Sequence, residues 1–356
     1  MKPPLVSICV PMYNGEPYLE ACLASISAQS FGDFEVVVTD DASTDRSFEI
    51  AAGHARRDAR FRVRRNPHRL GLVGNWNHCL AASRGEWIKL LFDDDLLESR
   101  CLERLLGGCQ QGGHRFGFCR RRIIFDAGAS PEIRDFFARH QKLMSDLYGA
   151  ADRYVDAAAF ARMSVEHPGW NLVGEPTVTL FHRSVMEEYG FFVPSLIQRC
   201  DSEYWTRVGT NAGVMQVAEP LAAFRVHGQS TTSGNFSKRE YALRHLDPLV
   251  EHYLFLHGRH YAALRKELFR ASGKLVNWWR LMYAAHEARQ TAAANPAQPE
   301  WGEQWRAVAG AYPRLKFLAF AGGWLRKVRS GLAWTGLDRR LKNPGPPPSP
   351  PRDAAP

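Results

Sequence analysis

Along the first hundred residues the apolar positions switch between two periods. Val6-Ser-Ile-Cys-Val10 is a short, mostly apolar run that predicts a strand. After the turn residues Asn14 and Gly15, apolar side chains at Leu19, Cys22, Leu23 and Ile26 follow the i, i+3, i+4, i+7 spacing of one helix face. Phe34-Glu-Val-Val-Val38 predicts a second strand, and Ser43 or Thr44 supplies an N-cap for a helix running to about Arg57. Phe61 to Arg65 is a third strand, Asn75 to Ala82 a helix, and Trp87 to Phe92 a fourth strand entered from a turn at Gly85. The alternation is that of βαβ units on a parallel sheet.

Beyond Leu106 the pattern loosens. Phe116 to Phe125 predicts a strand, and Arg134 to Met163 is mostly helical in composition. Trp170 to His182 joins a turn to a β-rich stretch. Arg183 to Tyr189 is a helix closed by Gly190, and Asp201 to Arg207 starts another. After about Asn235 the chain becomes Trp-, Leu- and Arg-rich and helical through Arg340, and residues 341–356 form a Pro-rich tail expected to be disordered or extended. No internal repeat is present.

The composition narrows the classes. With 356 residues, 45% of them hydrophobic, the chain can bury a core in one large domain or two smaller ones. A net charge of +9 favours anions: nucleotides, anionic lipid headgroups or nucleic acid. Nucleic acid has only the charge in its support, without a recognisable module, and is not expected as a partner. The seven cysteines form no C-x-x-C pair, which points to a reducing compartment, and Cys9, Cys22 and Cys79 read as core residues. The N-terminus lacks a signal-peptide pattern, and no apolar stretch reaches the ~18 residues of a membrane span. A cytoplasmic location is expected.

Two acidic clusters end two of the predicted strands: Asp40-Asp41 after VVVT, and Asp93-Asp94-Asp95 after IKLLF. On a parallel sheet both face the crevice at the strands' C-terminal edge, where ligands bind. Adjacent carboxylates repel unless a cation or hydrogen-bond donors compensate, so the triplet suggests a hard divalent ion such as Mg²⁺ or Mn²⁺. The competing reading is a capped or solvated turn. Neither a P-loop nor a G-x-G-x-x-G motif is present, since no two glycines stand at i and i+2. A nucleotide held by metal and carboxylates remains.

These residues carry a resemblance. VSICVPMYNGEPYLEACLASISAQSFGDFEVVVTDDASTDRS, from Val6, is similar to the nucleotide-binding half of the family 2 glycosyltransferases, which have the GT-A fold. LGLVGNWNHCLAASRGEWIKLLFDDDLL, NLVGEPTVTLFHRSVMEEYGFF, CDSEYWTRV and FRVHGQSTTSG resemble the family's later segments in order and spacing. Together they cover Val6 to about Gly234. The resemblance implies an α/β, Rossmann-like GT-A domain over 1–234, with a nucleotide-binding half at about 5–106 and an acceptor half at about 107–234. A helical C-terminal extension follows over 235–340.

Roles follow from the resemblance position by position. Pro11 and Tyr13, with Asn14 beside them, are implied to line the nucleobase pocket, and Asp41 to hydrogen-bond the base or ribose. Asp93 is implied to reach the ribose and the metal, and Asp94 to be the principal ligand of Mg²⁺ or Mn²⁺ on the diphosphate, with Asp95 in the same ligand-bearing triplet. Asp201 matches the catalytic base, although the usual preceding Glu is Cys200 here. The implied activity is inverting transfer from a UDP-, GDP- or dTDP-linked sugar to a glycan or lipid-linked acceptor in surface polysaccharide or glycolipid assembly. Two alternatives stand beside it: a nucleotidyltransferase, and a non-catalytic nucleotide-sugar or glycan-binding protein.

Further candidates each have a plain structural alternative. His227 is a metal ligand or an ordinary hydrogen-bonded histidine, and Arg225 a diphosphate clamp or a surface ion pair. Glu175 orients the acceptor or simply makes a Glu-Pro turn, and Trp170 is a sugar platform or core. Arg56, Arg57, Arg60, Arg62, Arg64 and Arg65 read as a solvated face. Residues 314–334 interleave Leu, Phe and Trp with Arg and Lys. They read either as an interfacial helix in peripheral contact with the inner face of the cytoplasmic membrane or, the favoured alternative, as a helix packing its apolar stripe on the catalytic domain.

Overall fold

The computed structural model describes residues 3–126, 129, 131–135, 137, 143–149, 151–228 and 241–332. The expected boundary at 234/235 and the Pro-rich tail lie outside the described residues. The chain divides into two compact units between Leu243 and Arg244.

The first unit is built on a nine-stranded sheet. Its first half alternates strand and helix: β1 (Val6–Met12), α1 (Glu16–Ser27), β2 (Phe34–Asp40), α2 (Ser47–Arg57), β3 (Phe61–Arg65), α3 (Leu72–Ala82) and β4 (Trp87–Leu90). These strands are parallel in the order β3-β2-β1-β4, as the alternation predicts. Both faces of the sheet are covered, so β1 and β2 are buried at every position. The helical stripe Leu19, Cys22, Leu23 and Ile26 is fully buried. Each such aliphatic side chain contributes about 1.5–3 kcal/mol relative to exposure. Gly85 is required where it stands, because a Cβ there would lie 2.4 Å from the Ser7 amide nitrogen.

The second half of the sheet is mixed. It contains β5 (Leu96–Leu97), α4 (Cys101–Gln111), β6 (Phe116–Phe125), α5 (Pro131–Asp135), α6 (Met144–Tyr148), β7 (Arg153–Val155), α7 (Ala157–Glu166), β8 (Thr179–His182), α8 (Arg183–Tyr189), α9 (Cys200–Ala212) and β9 (Val214–Val226). β8 returns antiparallel between β4 and β6, and β9 pairs with β6, β5 and β7. The mostly helical reading of 134–163 misses β7: Arg153, Tyr154 and Val155 pair with Gln216, Met215 and Val214, a tertiary contact that local composition does not encode. α8 ends at Gly190 as expected, with φ +83°.

Ser43 and Thr44 do not cap α2. The helix starts later, with Asp45 accepting from the Ser47 amide at 3.0 Å. The freed residues instead tie β2 to β1: Asn14 N–H donates to Ser43 Oγ at 3.0 Å, and Thr44 N–H to Asn14 Oδ1 at 2.9 Å. Nor is the arginine run simply a solvated face, since Arg62 and Arg65 pair with the buried Glu35 and Asp40.

Between Asp41 and Ser43, Ala42 has φ +59°. A left-handed conformation costs a residue with a Cβ about 1–2 kcal/mol, partly offset by the greater unfolded-state freedom of glycine. Ala42→Gly is expected to stabilise the unit by about 0.5–1 kcal/mol. Chemical denaturation would detect this as a higher midpoint at unchanged slope; an unchanged or lower midpoint would rule out strain at Ala42.

The second unit is helical: α10 (Asp247–His257), α11 (Ala262–Ser272), α12 (Lys274–Ala293), α13 (Pro299–Ala311) and α14 (Arg314–Leu332). Buried Asn277 ties α11 to α12, donating to Ser272 Oγ at 2.9 Å and to the Gly273 carbonyl at 2.8 Å. α14 lies on α12 through Leu315, Leu318 and Ala319. At their crossing a Cβ on Gly322 would stand 2.2 Å from the Met282 carbonyl oxygen, so only glycine permits this approach. Among the described residues no helix is long and apolar enough to cross a membrane.

Candidate active site

Strands β2, β1 and β4 end on one edge of the sheet, so the segments 40–41, 13–15 and 93–95 meet there. Tyr13 N–H donates to Asp93 Oδ2 at 2.9 Å. Gly15 lies against the same carboxylate: a Cβ there would be 2.5 Å from Asp93 Oδ2. Asn14 adopts φ +52°, its side chain and amide held by Thr44 and Ser43. Pro11 is buried within β1 opposite Thr39. The Tyr13 ring is exposed, with the Arg69 guanidinium 3.8 Å above its centroid.

Asp41 is buried and accepts three hydrogen bonds: from Leu70 N–H at 2.7 Å, Gly71 N–H at 2.9 Å and Asn66 Nδ2 at 3.0 Å. It braces the loop that bends at Gly71, where φ is +78°. Any contact with a base or ribose has to use a lone pair left over from that task.

The three aspartates have three different surroundings. Asp95 is fully buried, with Thr177 Oγ1 donating to one carboxylate oxygen and Arg225 N–H to the other at 2.8 Å. Burial, reinforced by the Asp94 charge, pushes its pKa well up. Expected beside Asp93 and Asp94 as a cation ligand, Asp95 is instead an interior acceptor that anchors β9 and the segment at Thr177. Burial and the neighbouring Asp94 charge raise Asp93 to about 8, against the pull of the Tyr13 amide. Asp94 points its Oδ2 to His227 Nε2 at 3.1 Å, while its carbonyl accepts from Arg225 Nε at 2.9 Å.

Around this pair stands a network only partly expected from sequence. Arg225 also donates to Asp126 at 3.1 Å, and Tyr18 donates its hydroxyl to the same carboxylate at 2.6 Å. Tyr18 in turn packs on His227 at 4.5 Å between ring centroids. Arg225 is thus an internal brace for the triplet. Nothing in the sequence marks Tyr18 or Asp126: Tyr18 reads as one more helix position and Asp126 as a strand-end residue.

The second carboxylate site lies in the first turn of α9. Asp201 accepts from Ser202 N–H at 2.7 Å and from Asn171 Nδ2 at 2.9 Å. Burial raises its pKa to about 7; these donors oppose the rise and the Glu175 charge adds to it. Cys200, in the place of the usual Glu, is buried and turns its thiol to the Ile197 carbonyl at 3.3 Å. α9 is locked by Trp205, buried among Phe116, Phe181 and Phe192, and by the buried Glu203–Arg207 pair.

One short segment serves both sites. Asn171 holds Asp201, and Thr177 donates to Asp95. Between them Gly174 adopts φ +106° and its carbonyl accepts from Trp205 Nε1 at 3.0 Å. The Thr177 carbonyl accepts from the fully buried Lys89. Glu175 pairs with Arg121 at 2.8 Å, both nearly out of solvent, so the structure places it as a buried anchor. Trp170 is half-buried with one face on His167, ring centroids 4.4 Å apart.

The model of the family described as Glycosyl transferase family 2 matches residues 7–190. A Mycobacterium tuberculosis protein described as uncharacterized is 31% identical over 240 residues, 67% of this chain and 73% of that one. The GalNAc(5)-diNAcBac-PP-undecaprenol beta-1,3-glucosyltransferase of Campylobacter jejuni is 35% identical over 118 residues, 33% of this chain and 38% of that one. Among solved structures, S. aureus TarS 1–349 in complex with UDP-GlcNAc superposes with a TM-score of 0.56 at 16% identity, covering 87% of this chain and 91% of that one. The mannosyltransferase PcManGT of Pyrobaculum calidifontis, in complex with GDP-Man and Mn²⁺, superposes with a TM-score of 0.51 at 18% identity, covering 94% and 89%. At these identities the likeness is one of fold.

Proposed function

The chain belongs to glycosyl transferase family 2, and we propose that it moves a sugar, with inversion, from a nucleoside-diphosphate sugar bound at the Tyr13–Asp93–Asp94 edge to an acceptor hydroxyl activated by Asp201. A glycosyltransferase on a GT-A fold displaces the nucleotidyltransferase reading. The observation that supports the proposed mechanism is that residues 171–177 hold Asp201 through Asn171 and, through Thr177, Asp95, the residue next to Asp94.

The donor edge fits a divalent ion. Asp93 keeps one carboxylate oxygen beyond its bond to Tyr13, and Asp94 stands beside His227, so hard oxygen donors converge with one imidazole. Among the described residues no cluster of three or more His, Cys, Asp or Glu forms a ready-made metal cage. Such a cage is not required, because Mg²⁺ in nucleotide sites is held by one or two carboxylates and completed by phosphates and water. Asp94, with Asp93 and His227, would hold Mg²⁺ or Mn²⁺ against the diphosphate; when bound, the ion offsets the charge developing on the leaving phosphate. Tyr13 presents an exposed ring as a platform for the base, pre-set by Arg69. Gly15 lets the backbone close over Asp93.

On the other side Asp201 takes the acceptor's proton. A carboxyl raised to about 7 has more proton affinity than an ordinary aspartate and is still about half ionised near neutral pH, which suits a general base. Asn171 and Ser202 aim it. The acceptor class proposed is a glycan or lipid-linked glycan of a surface polysaccharide, supported by the Campylobacter relative whose name carries an undecaprenol-linked acceptor. A lipid-linked acceptor would place the reaction at the inner face of the cytoplasmic membrane.

Calorimetric titration with UDP, GDP and dTDP, each with and without Mn²⁺, tests the donor site. Tight binding of one nucleotide only in the presence of metal is expected. Binding of none, or binding indifferent to metal, would refute the metal-bridged donor site and leave the triplet as a structural turn.

A further inference from the structure

α14 carries two opposed faces. One is spent on α12, as described above. The other bears Phe317, Phe320 and Trp324, which are 71%, 70% and 64% exposed. Spaced i, i+3 and i+7, they form one row along the helix. Three large aromatic side chains held in water on a single face mark an interaction surface.

The sequence of α14 indicates what covers that row. It contains Arg314, Lys316, Arg326, Lys327 and Arg329, and no Asp or Glu. Aromatic residues among cations, on a helix too polar to span a bilayer, make up an element that lies in the headgroup layer with its aromatic row dipped toward the acyl chains. Lys and Arg near such a surface are attracted by anionic headgroups. We infer that the Phe317–Phe320–Trp324 face docks on an anionic phospholipid bilayer. Charge selects that occupant over a second copy of this chain, because two such helices face to face would bring cations together with no counter-charge. The apolar stripe expected to pack on the catalytic domain packs instead on α12 of the helical unit, and the aromatic row lies on the face left exposed. The inference goes beyond the transferase reading and needs none of its site residues.

The test is co-sedimentation of the full chain with vesicles of phosphatidylcholine alone and of phosphatidylcholine with phosphatidylglycerol. Binding is expected only with phosphatidylglycerol and should weaken with added salt. The triple variant Phe317→Ser, Phe320→Ser, Trp324→Ser is expected to bind at least about tenfold more weakly, with unchanged circular dichroism and melting because these side chains are already exposed. A second variant, Arg314→Glu with Lys316→Glu, also changes exposed residues and is expected to weaken binding while sparing the aromatic row. Wild-type protein that ignores phosphatidylglycerol, or a triple variant that binds undiminished, would overturn the inference. So would a wild-type dimer that the triple variant splits, which would assign the row to a second copy.

Discussion

Asp201→Asn is expected to lower kcat for sugar transfer by about 10²–10⁴-fold while leaving metal-dependent nucleotide binding at the wild-type level. The substitution keeps the side chain's volume and an oxygen for the Ser202 amide, removes the ability to take a proton, and gives up the bond from Asn171 Nδ2, which an amide nitrogen cannot accept. The pH profile supplies an independent signature. Only ionised Asp201 can act as the base, and burial sets its pKa at about 7, so wild-type kcat/KM should rise with pH through about 7 and then level. That limb should vanish in the variant. Stability runs the other way. The folded chain holds this proton more tightly than the unfolded chain does, so the contribution is full below the ordinary aspartate pKa and is lost as pH rises to about 7. An Asp201→Asn enzyme turning over at the wild-type rate would remove Asp201 from the base role. Donor binding without transfer to any acceptor, in wild-type protein, would favour the non-catalytic reading.

Asp94→Ala should abolish the metal dependence of nucleotide binding, with a loss of affinity larger than the ~10–100-fold typical when an outer-shell partner of a metal ligand is removed. The family resemblance points to this carboxylate, and the proposal rests on its surroundings: like Asp93 it keeps one carboxylate oxygen free of the bonds described. Asp95 has both oxygens occupied by Thr177 and Arg225, and Asp93 has one on the Tyr13 amide. Asp94 sits beside His227 at the sheet edge, and the Arg225 bond to its carbonyl fixes the backbone from which its side chain projects. Calorimetry with and without Mn²⁺ reads the outcome. Wild-type affinity with retained metal dependence would transfer the principal role to Asp93.

What was legible in the sequence is what local periodicity encodes. β1 to β4 and α1 to α3 could be read because burial on both faces of a parallel sheet writes apolar runs, and burial on one helix face writes the Leu19–Cys22–Leu23–Ile26 stripe. The aspartate clusters could then be placed at a common edge. Features decided by partners distant in sequence could not be read. β7 exists because Val214–Gln216 is there to pair with it, and β8 runs antiparallel because of where the chain re-enters beside β4. Asp95 looks like its neighbours until Thr177 and Arg225, 82 and 130 positions away, arrive to occupy it. Ser43 and Thr44 look like helix caps until Asn14 takes them. Tyr18 and Asp126, 108 positions apart, carry no mark of their hydrogen bond.

The segment from Asn171 to Thr177 has a consequence for how this enzyme can diversify. One covalent stretch, pinned by Trp205, Arg121 and Lys89, bonds Asp201 at one end and Asp95, the neighbour of Asp94, at the other, so the spacing proposed between leaving group and nucleophile is built into the chain like the gap of a vernier. New sugars and acceptors can then be accommodated by changing side chains around that gauge without recalibrating it. An insertion or deletion inside those seven residues would misalign both ends together.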